Sequence, residues 1–111
     1  MTGAVNFAAQ LYPEHMAEVF QKGYRSVINN RPDLEGGSDQ PTSAVLEEAA
    51  RNAGIDYVFQ PVIAGQITQL DIEAFARHFN ELPKPILMFC RTGNRSSNLY
   101  QLAKQMDLLN D

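Results

Sequence analysis

The sequence predicts an α/β domain in which a mostly parallel central sheet is flanked by helices. Two observations carry this prediction: short apolar runs that suit buried strands, and longer segments whose apolar residues recur at helical spacing. The two kinds of segment alternate along the chain, which favours parallel strands joined through helices. In such a fold a functional site lies beyond the carboxyl ends of the strands.

Each predicted strand is a short run of apolar residues bounded by turn signals. The four runs lie at residues 5–11, 24–28, 57–59 and 85–89. Between the second strand and the following helix lies the longest polar loop, residues 30–40, which contains Gly and Pro. A loop of this kind is either a mobile connection or a functional flap.

The predicted helices have recognisable starts and ends. Pro13 opens the first helix at a position that proline tolerates, and Gly23 and Gly54 end the first and second. Thr68 and Asp71 resemble a capping box at the start of the third. The residues predicted to face the core recur at helical spacing: Met16, Val19 and Phe20; Val45, Leu46, Ala49, Ala50 and Ala53; Ile72, Phe75, Ala76 and Phe79; Leu99, Leu102, Ala103 and Met106.

The composition restricts the class of protein. A chain of 111 residues with 44% hydrophobic residues suits one domain, residues 1–111, with a core of its own. The single cysteine excludes an internal disulfide and suits a reducing compartment. The N-terminus lacks the pattern of a secretory signal, no apolar run reaches membrane-spanning length, and a net charge of −4 argues against nucleic acid and anionic membranes as partners. We therefore expect a cytoplasmic location.

The most informative segment joins the last strand to the last helix through the only cysteine. It reads Cys90-Arg91-Thr92-Gly93-Asn94-Arg95-Ser96-Ser97. Loop amides and the first turn of a helix form an anion site, and a thiol held there has its pKa lowered from ~8.5 toward roughly 3.5–7.5. A lone cysteine after an apolar strand is otherwise a buried, inert residue. The glycine and the two arginines nearby favour the functional interpretation.

This segment supplies the candidate site residues. Cys90 and Arg95 are the predicted catalytic residues, because a guanidinium can bind an oxyanion through two hydrogen bonds, although Arg95 could instead form a salt bridge. Arg91 is expected at the rim, steering anionic substrates. The remaining predicted substrate-binding residues are Thr92, Gly93, Asn94, Ser96 and Ser97, where the serines can cap the helix or stabilise a thiolate leaving group.

Two residues outside the segment are candidates to support the site. Arg31 follows a strand end and could reach the same rim, although a role in holding the long loop is equally compatible with its position; Gln66 lies in the loop before the third helix. His15 and His78 have no partner at metal-ligand spacing and are expected to be exposed. We therefore predict neither a metal nor a cofactor.

The cysteine segment resembles the active loop of rhodanese-type sulfurtransferases, in which Cys-Arg-x-Gly-x-Arg-Ser is common. Over residues 5–106 the chain also resembles dual-specificity cysteine phosphatases, specifically the bacterial phosphatase-like domain named after beta-lactamase hydrolase-like proteins. The supporting motifs are Val-Ile-Asn-Asn-Arg-Pro-Asp at 27–33, Tyr-Val-Phe-Gln-Pro-Val at 57–62 and Ile-Thr-Gln-Leu-Asp at 67–71. This resemblance implies a cysteine-phosphatase-like fold with its active loop between a strand end and a helix N-terminus.

Two departures from the phosphatase pattern bear on the activity. Phosphatases of this type carry His-Cys-x5-Arg-Ser/Thr, whereas here Phe89 precedes the cysteine and Ser96 stands where the arginine is expected. They also place an aspartic acid where this chain has Ala64-Gly65-Gln66, and the nearest acid, Asp71, is expected to cap a helix. General acid catalysis contributes typically 10²–10⁴-fold, so its loss should impair cleavage of phosphate esters.

Sulfur transfer needs no such acid, because sulfite or a thiolate leaves without a proton. The leading hypothesis is a rhodanese-type sulfurtransferase that forms a persulfide on Cys90, with thiosulfate or glutathione persulfide as donor and a thiol or cyanide as acceptor. The alternative is a nonclassical phosphatase with a phospho-Cys90 intermediate, and a third possibility is a non-catalytic anion-binding module. By analogy with related bacterial proteins, a fused or partner enzyme that processes persulfides could receive the product.

Overall fold

The computed structural model describes residues 4–110, which contain four β-strands and four α-helices. The strands are β1 (Val5–Ala8), β2 (Ser26–Asn29), β3 (Asp56–Phe59) and β4 (Ile86–Phe89). The helices are α1 (Met16–Gln21), α2 (Ser43–Asn52), α3 (Gln69–Glu81) and α4 (Asn94–Gln105), and a 3₁₀ turn at Pro13–His15 precedes α1.

The four strands form one parallel sheet in the order β1-β4-β2-β3, which confirms the predicted α/β fold. The strands also end at one level, because Phe89 pairs with both Ala8 and Asn29, and Asn29 pairs with Phe59. The residues that follow β2, β3 and β4 therefore meet at the carboxyl edge of the sheet. That edge is where ligands bind in open α/β sheets.

Two apolar clusters cover the two faces of the sheet. One contains Val27 and Leu87 from the strands together with residues of α1 and α2, and the other contains Ile28 and Met88 together with residues of α3 and α4. Neighbouring strand residues thus go to opposite faces, as the two-residue period of a strand requires. Both β2 and β4 are buried along their whole length; β4 accordingly reads as a continuous apolar run, whereas β2 has Ser26 and Asn29 at its ends.

The first two strands differ most from the predicted boundaries, while β3 begins one residue earlier and β4 one residue later than predicted. The prediction carried the first strand to residue 11, but β1 ends at Ala8, because its one partner, β4, ends opposite it at Phe89. The second strand was predicted over residues 24–28, whereas β2 occupies Ser26–Asn29. Strand limits are decided by the neighbouring strand, which local sequence does not show.

Three residues predicted to face the core lie on the surface instead. Val45 is 48% exposed, and Phe20 and Met106 are each 41% exposed. Phe20 packs under the guanidinium of Arg25, 5.4 Å from the ring centre, and Met106 follows the last residue of α4. In α2 the buried stripe is narrower than predicted and excludes Val45, while Leu46 and Ala50 are fully buried.

The predicted capping box at the start of α3 is present. The Thr68 hydroxyl oxygen accepts a hydrogen bond from the Asp71 amide at 3.1 Å, and Asp71 Oδ2 accepts one from the Thr68 amide at 3.0 Å. Both groups satisfy amides that the helix itself leaves unpaired. In the part of the chain that the structure describes, no helix combines the length and apolar character needed to cross a bilayer.

We expect Thr68→Ala to lower the free energy of unfolding by about 1 kcal/mol, because the Asp71 amide then loses its partner at the helix start. Urea unfolding followed by circular dichroism measures this change. Thr68→Ser keeps the accepting oxygen and is the matched control, which should retain most of the stability. Equal stability of Thr68→Ala and the wild type would contradict the role of the cap.

Candidate active site

Cys90 is the first residue after β4 and is buried beneath the loop that leads into α4. Burial by itself raises the pKa of the Cys90 thiol, but hydrogen bonds from the amide and hydroxyl of Ser96 and from the amides of Thr92 and Gly93 outweigh it. The Gly93 amide donates to Cys90 Sγ at 3.1 Å. The pKa of the thiol therefore lies below its ordinary value, as a thiolate held by several donors requires.

Gly93 is needed for two separate reasons. Its φ of +95° lies in the left-handed region, which glycine adopts without strain. A Cβ atom at this position would also lie 3.3 Å from the carbonyl oxygen of Ala8. The close passage of β1 behind the loop thus disfavours a side chain where the chain turns its amides toward the sulfur.

Cys90 opens onto a cleft of about 290 Å³. Its lining residues come from the cysteine loop, the start of α4 and the loop before α3: Ala64, Gly65, Ile67, Cys90, Arg91, Thr92, Asn94, Arg95 and Asn98. A second, more polar cleft of about 610 Å³ adjoins it and shares Ala64, Arg91 and Arg95 with it. Arg91 is exposed and borders both clefts, at the rim where it was expected.

Four of the candidate residues do not line either cleft: Gly93 and Ser96, which hydrogen-bond Cys90, and Ser97 and Gln66. The Ser97 amide donates to the Gly93 carbonyl as part of the first turn of α4. Gln66 is exposed, and its amide closes a turn onto the Ile63 carbonyl. Asn98, which the sequence analysis did not single out, lies one helical turn after Asn94 in α4 and borders the Cys90 cleft.

The Arg95 side chain is 9% exposed and held in a fixed position. Nη1 donates to the carbonyls of Val62 at 2.8 Å and Asn30 at 3.4 Å, and Nη2 donates to Glu35 Oε1 at 3.0 Å. Among the described residues, its buried Nε–H has no hydrogen-bond partner. The sequence analysis offered a salt bridge and oxyanion binding as alternatives for Arg95. The salt bridge is formed, and the Nε–H donor still has no partner within residues 4–110.

Glu35 is the residue that fixes the arginines, and sequence reasoning missed it. Its Oε1 accepts from Arg31 Nε and from Arg95 Nη2, both at 3.0 Å. Its only sequence signal is a spacing of four from Arg31, which is common in solvated ion pairs. The Arg95 hydrogen bond is the largest cause of a lowered pKa for the Glu35 carboxyl; burial opposes it and Arg31 adds to it.

Arg31 serves both of its proposed purposes. It borders the second cleft, and it holds the long loop through Glu35 and through Gln10 Oε1, to which Nη1 donates at 2.9 Å. Its guanidinium packs so closely on Gly36 that a Cβ there would lie 2.6 Å from Arg31 Nη2. The polar loop is thus an ordered part of the site wall.

The histidines are partly buried, so the expectation of exposed side chains is wrong. His15 Nδ1 accepts a hydrogen bond from the Tyr12 amide at 3.0 Å, which ties the ring to the helix start. Burial lowers the pKa of His78. Within residues 4–110 no group of three His, Cys, Asp or Glu side chains is placed to hold a metal.

We expect Gly93→Ala to raise the pKa of the Cys90 thiol, because the added methyl group meets Ala8 and moves the loop amides. The thiolate absorbance, followed against pH, reports this change directly in a chain with one cysteine. Gly37→Ala is the matched control: its φ of +90° imposes a similar strain of about 1 kcal/mol, but nothing lies within 4 Å of its Cβ. A similar pKa in both variants would contradict the fit at Gly93.

We expect Glu35→Gln to lower the free energy of unfolding by about 1–2 kcal/mol near neutral pH. Since the folded-state pKa of Glu35 lies below its ordinary value of 4.5, this contribution is present in full above that value. It should be lost as the pH falls through the lowered pKa. Urea unfolding of both proteins across this range measures the difference, and a difference independent of pH would refute the assignment.

Comparison with known proteins places this site in a family. The family model described as "Beta-lactamase hydrolase-like protein, phosphatase-like domain" matches residues 1–107. Beta-lactamase hydrolase-like proteins of Xylella fastidiosa and Agrobacterium fabrum are 42% and 40% identical over 87 and 86 residues. These matches cover 78% of this chain and 20% of each relative, so the chain spans about a fifth of their length.

Solved structures agree with the sequence match. A protein from Neisseria meningitidis described as a "putative phosphatase" superposes with a TM-score of 0.87 at 30% identity, over 96% of this chain and 75% of that one. A Shewanella putrefaciens protein with the same description gives a TM-score of 0.78 at 24% identity, over 99% and 69%, which supports the fold alone. The chain belongs to the family of phosphatase-like domains of beta-lactamase hydrolase-like proteins.

Proposed function

We propose that this domain, taken as one unit over residues 1–111, is a sulfurtransferase that carries a sulfane sulfur on Cys90. The observation that carries the proposal is an activated thiol beside clefts whose described lining holds no carboxyl group that can act as a general acid. Cys90 has a lowered pKa and faces a small cleft lined by two arginines. The resemblance of the loop to rhodanese-type sequences points to the same chemistry.

In the first step, the Cys90 thiolate attacks the outer sulfur of thiosulfate. The sulfur–sulfur bond of the donor breaks, sulfite leaves with its electron pair, and a persulfide forms on Cys90. In the second step, an acceptor thiolate attacks the outer sulfur of the persulfide, and Cys90 leaves as a thiolate. Charge balances in both steps, and neither requires an oxidant or a proton.

The arginines suit an anionic donor. Arg91 is exposed at the rim, where it can attract a dianion, and Arg95 offers its unpaired Nε–H. Thr92, Gly93 and Ser96 supply the hydrogen bonds that hold the sulfur, and Asn94 borders the same cleft. Ser97 contributes only to the first turn of α4, and Arg31 acts by holding Glu35.

The carboxylates near the site do not suit general acid catalysis. Within the described residues, Glu35 is the one carboxylate that borders either cleft, and its lowered pKa keeps it ionised at neutral pH. Asp71 is engaged in the capping box of α3. An alkoxide leaving from a phosphate ester would therefore find no donor, whereas sulfite requires none.

A phosphatase is the second candidate. The similarity to structures described as phosphatases favours it, and so does a loop whose amides and Arg95 Nε–H could hold a phosphoryl group. The reaction would pass through a phospho-Cys90 intermediate. A non-catalytic anion-binding module would use the same donors without turnover.

The partners follow from the proposed chemistry. The substrate is a small anion, either a sulfane sulfur donor such as thiosulfate or glutathione persulfide, or a phosphate ester. Because this chain matches only 20% of the length of its relatives, a fused or associated enzyme that consumes persulfide is part of the proposal. A cytoplasmic location, which keeps the single cysteine reduced, completes it.

The deciding experiment incubates the protein with thiosulfate and weighs it intact. We expect the mass of one additional sulfur, which is absent in Cys90→Ser and removed by cyanide or a thiol. In parallel, an aryl phosphate tests the second candidate, and we expect turnover close to that of Cys90→Ser. The absence of an adduct with both thiosulfate and glutathione persulfide would refute sulfur transfer, and Cys90-dependent phosphatase turnover would favour the alternative.

A further inference from the structure

Asn30 lies beside Cys90 at the carboxyl edge of the sheet. It follows Asn29, the pairing partner of Phe89, so the two strands deliver Asn30 and Cys90 to the same level. Asn30 is fully buried, and its backbone is used on both sides: its amide donates to the Phe89 carbonyl, and its carbonyl accepts from the Val62 amide. This residue therefore has little freedom to move.

The orientation of the Asn30 side chain is fixed by its hydrogen bonds. Nδ2 donates to the Gln60 carbonyl at 3.0 Å, which turns Oδ1 toward the buried Ser96. The Ser96 hydroxyl donates to Asn30 Oδ1 at 2.8 Å. A carbonyl oxygen can only accept, so this contact consumes the hydroxyl proton.

The same hydroxyl can also donate to the thiolate form of Cys90, and this hydrogen bond is one cause of the lowered pKa of the thiol. A serine hydroxyl carries one proton and can donate it to one strong acceptor at a time. Asn30 Oδ1 and a thiolate at Cys90 are therefore alternative acceptors. Rotation about the Ser96 Cβ–Oγ bond exchanges them without moving the backbone.

We infer that Asn30 is a positioning residue that competes with the Cys90 thiolate for the hydrogen bond of the Ser96 hydroxyl. The hydroxyl therefore stabilises the Cys90 sulfur when that sulfur is negatively charged and bonds Asn30 when it is not. The reaction stages in this inference rest on the proposed function. In the persulfide the charge lies on the outer sulfur, and the Ser96 hydroxyl donates its hydrogen bond to Asn30 Oδ1. When Cys90 attacks or leaves as a thiolate, the hydroxyl donates to the Cys90 sulfur instead.

The test titrates the chain's only cysteine by thiolate absorbance and by the pH profile of iodoacetamide alkylation, with no sulfur donor present. In Asn30→Ala the freed hydroxyl donates to Cys90, so the pKa should fall. Alkylation should become about threefold or more faster below the wild-type pKa and slower on the high-pH plateau, since a more stabilised thiolate is less nucleophilic. Ser96→Ala should shift the profile in the opposite direction.

Two further variants separate this coupling from a general structural effect. In Ser96→Ala, adding Asn30→Ala should leave the titration unchanged. Asn29→Ala is the matched control, because it removes the neighbouring buried asparagine, whose side chain bonds Tyr57 and the Arg31 amide instead. The charged groups that border the cleft, Arg91 and Arg95, are retained in every variant. A raised or unaltered pKa in Asn30→Ala, or an equal shift in Asn29→Ala, would overturn the inference.

If Asn30→Ala does not fold, the wild-type protein supplies the test. The side-chain amide signals of Asn30, followed by nuclear magnetic resonance, should shift with the titration of Cys90 and shift far less in Ser96→Ala. Signals that stay constant through the titration would contradict the inference. The absence of adducts with both thiosulfate and glutathione persulfide would refute sulfur transfer but not this inference, because none of these measurements uses a sulfur donor.

Discussion

A buried thiolate is the constraint on which the rest of the site depends. Charge taken out of water is costly unless hydrogen-bond donors replace the lost solvent, and the Cys90 sulfur is almost fully enclosed. The loop meets this requirement with amides from Thr92, Gly93 and Ser96. A left-handed glycine is needed to turn them inward, and the passage of β1 behind Gly93 fixes how close they come. The position of β1 beside β4 in the sheet therefore affects how closely the loop amides approach the Cys90 sulfur.

The largely buried arginines also need a compensating partner for their charge. Two guanidinium groups near a thiolate would repel each other, and the Glu35 carboxylate between Arg31 and Arg95 removes that repulsion. In this arrangement Arg95 donates most of its hydrogen bonds to protein groups, and its buried Nε–H has no partner among the described residues. An ionised Glu35 also cannot protonate a leaving alcohol, which connects the electrostatics of the wall to the choice between sulfur and phosphate.

Much of the fold could be predicted from local sequence, because its signals are short-range. The alternation of elements, the capping box at Thr68 and Asp71, and the core stripe of α3 are as predicted. The C-terminal end of β1 and the exposure of Val45 and Phe20 were not, because they depend on which strand or helix lies alongside. The cysteine loop was recognisable for the same short-range reason, since its glycine, arginines and serines are consecutive in the chain.

The sequence by itself determined that this chain carries one thiol, in a loop between a strand and a helix. Only the tertiary structure decided which distant groups contact the residues of that loop. Glu35 is 60 residues from Arg95, and Asn30 is 66 residues from Ser96, so no local pattern links them. Parallel pairing of β2 with β4 brings these residues to one edge of the sheet. The physical reason is that side-chain hydrogen bonds act over about 3 Å in space, whatever the separation along the chain.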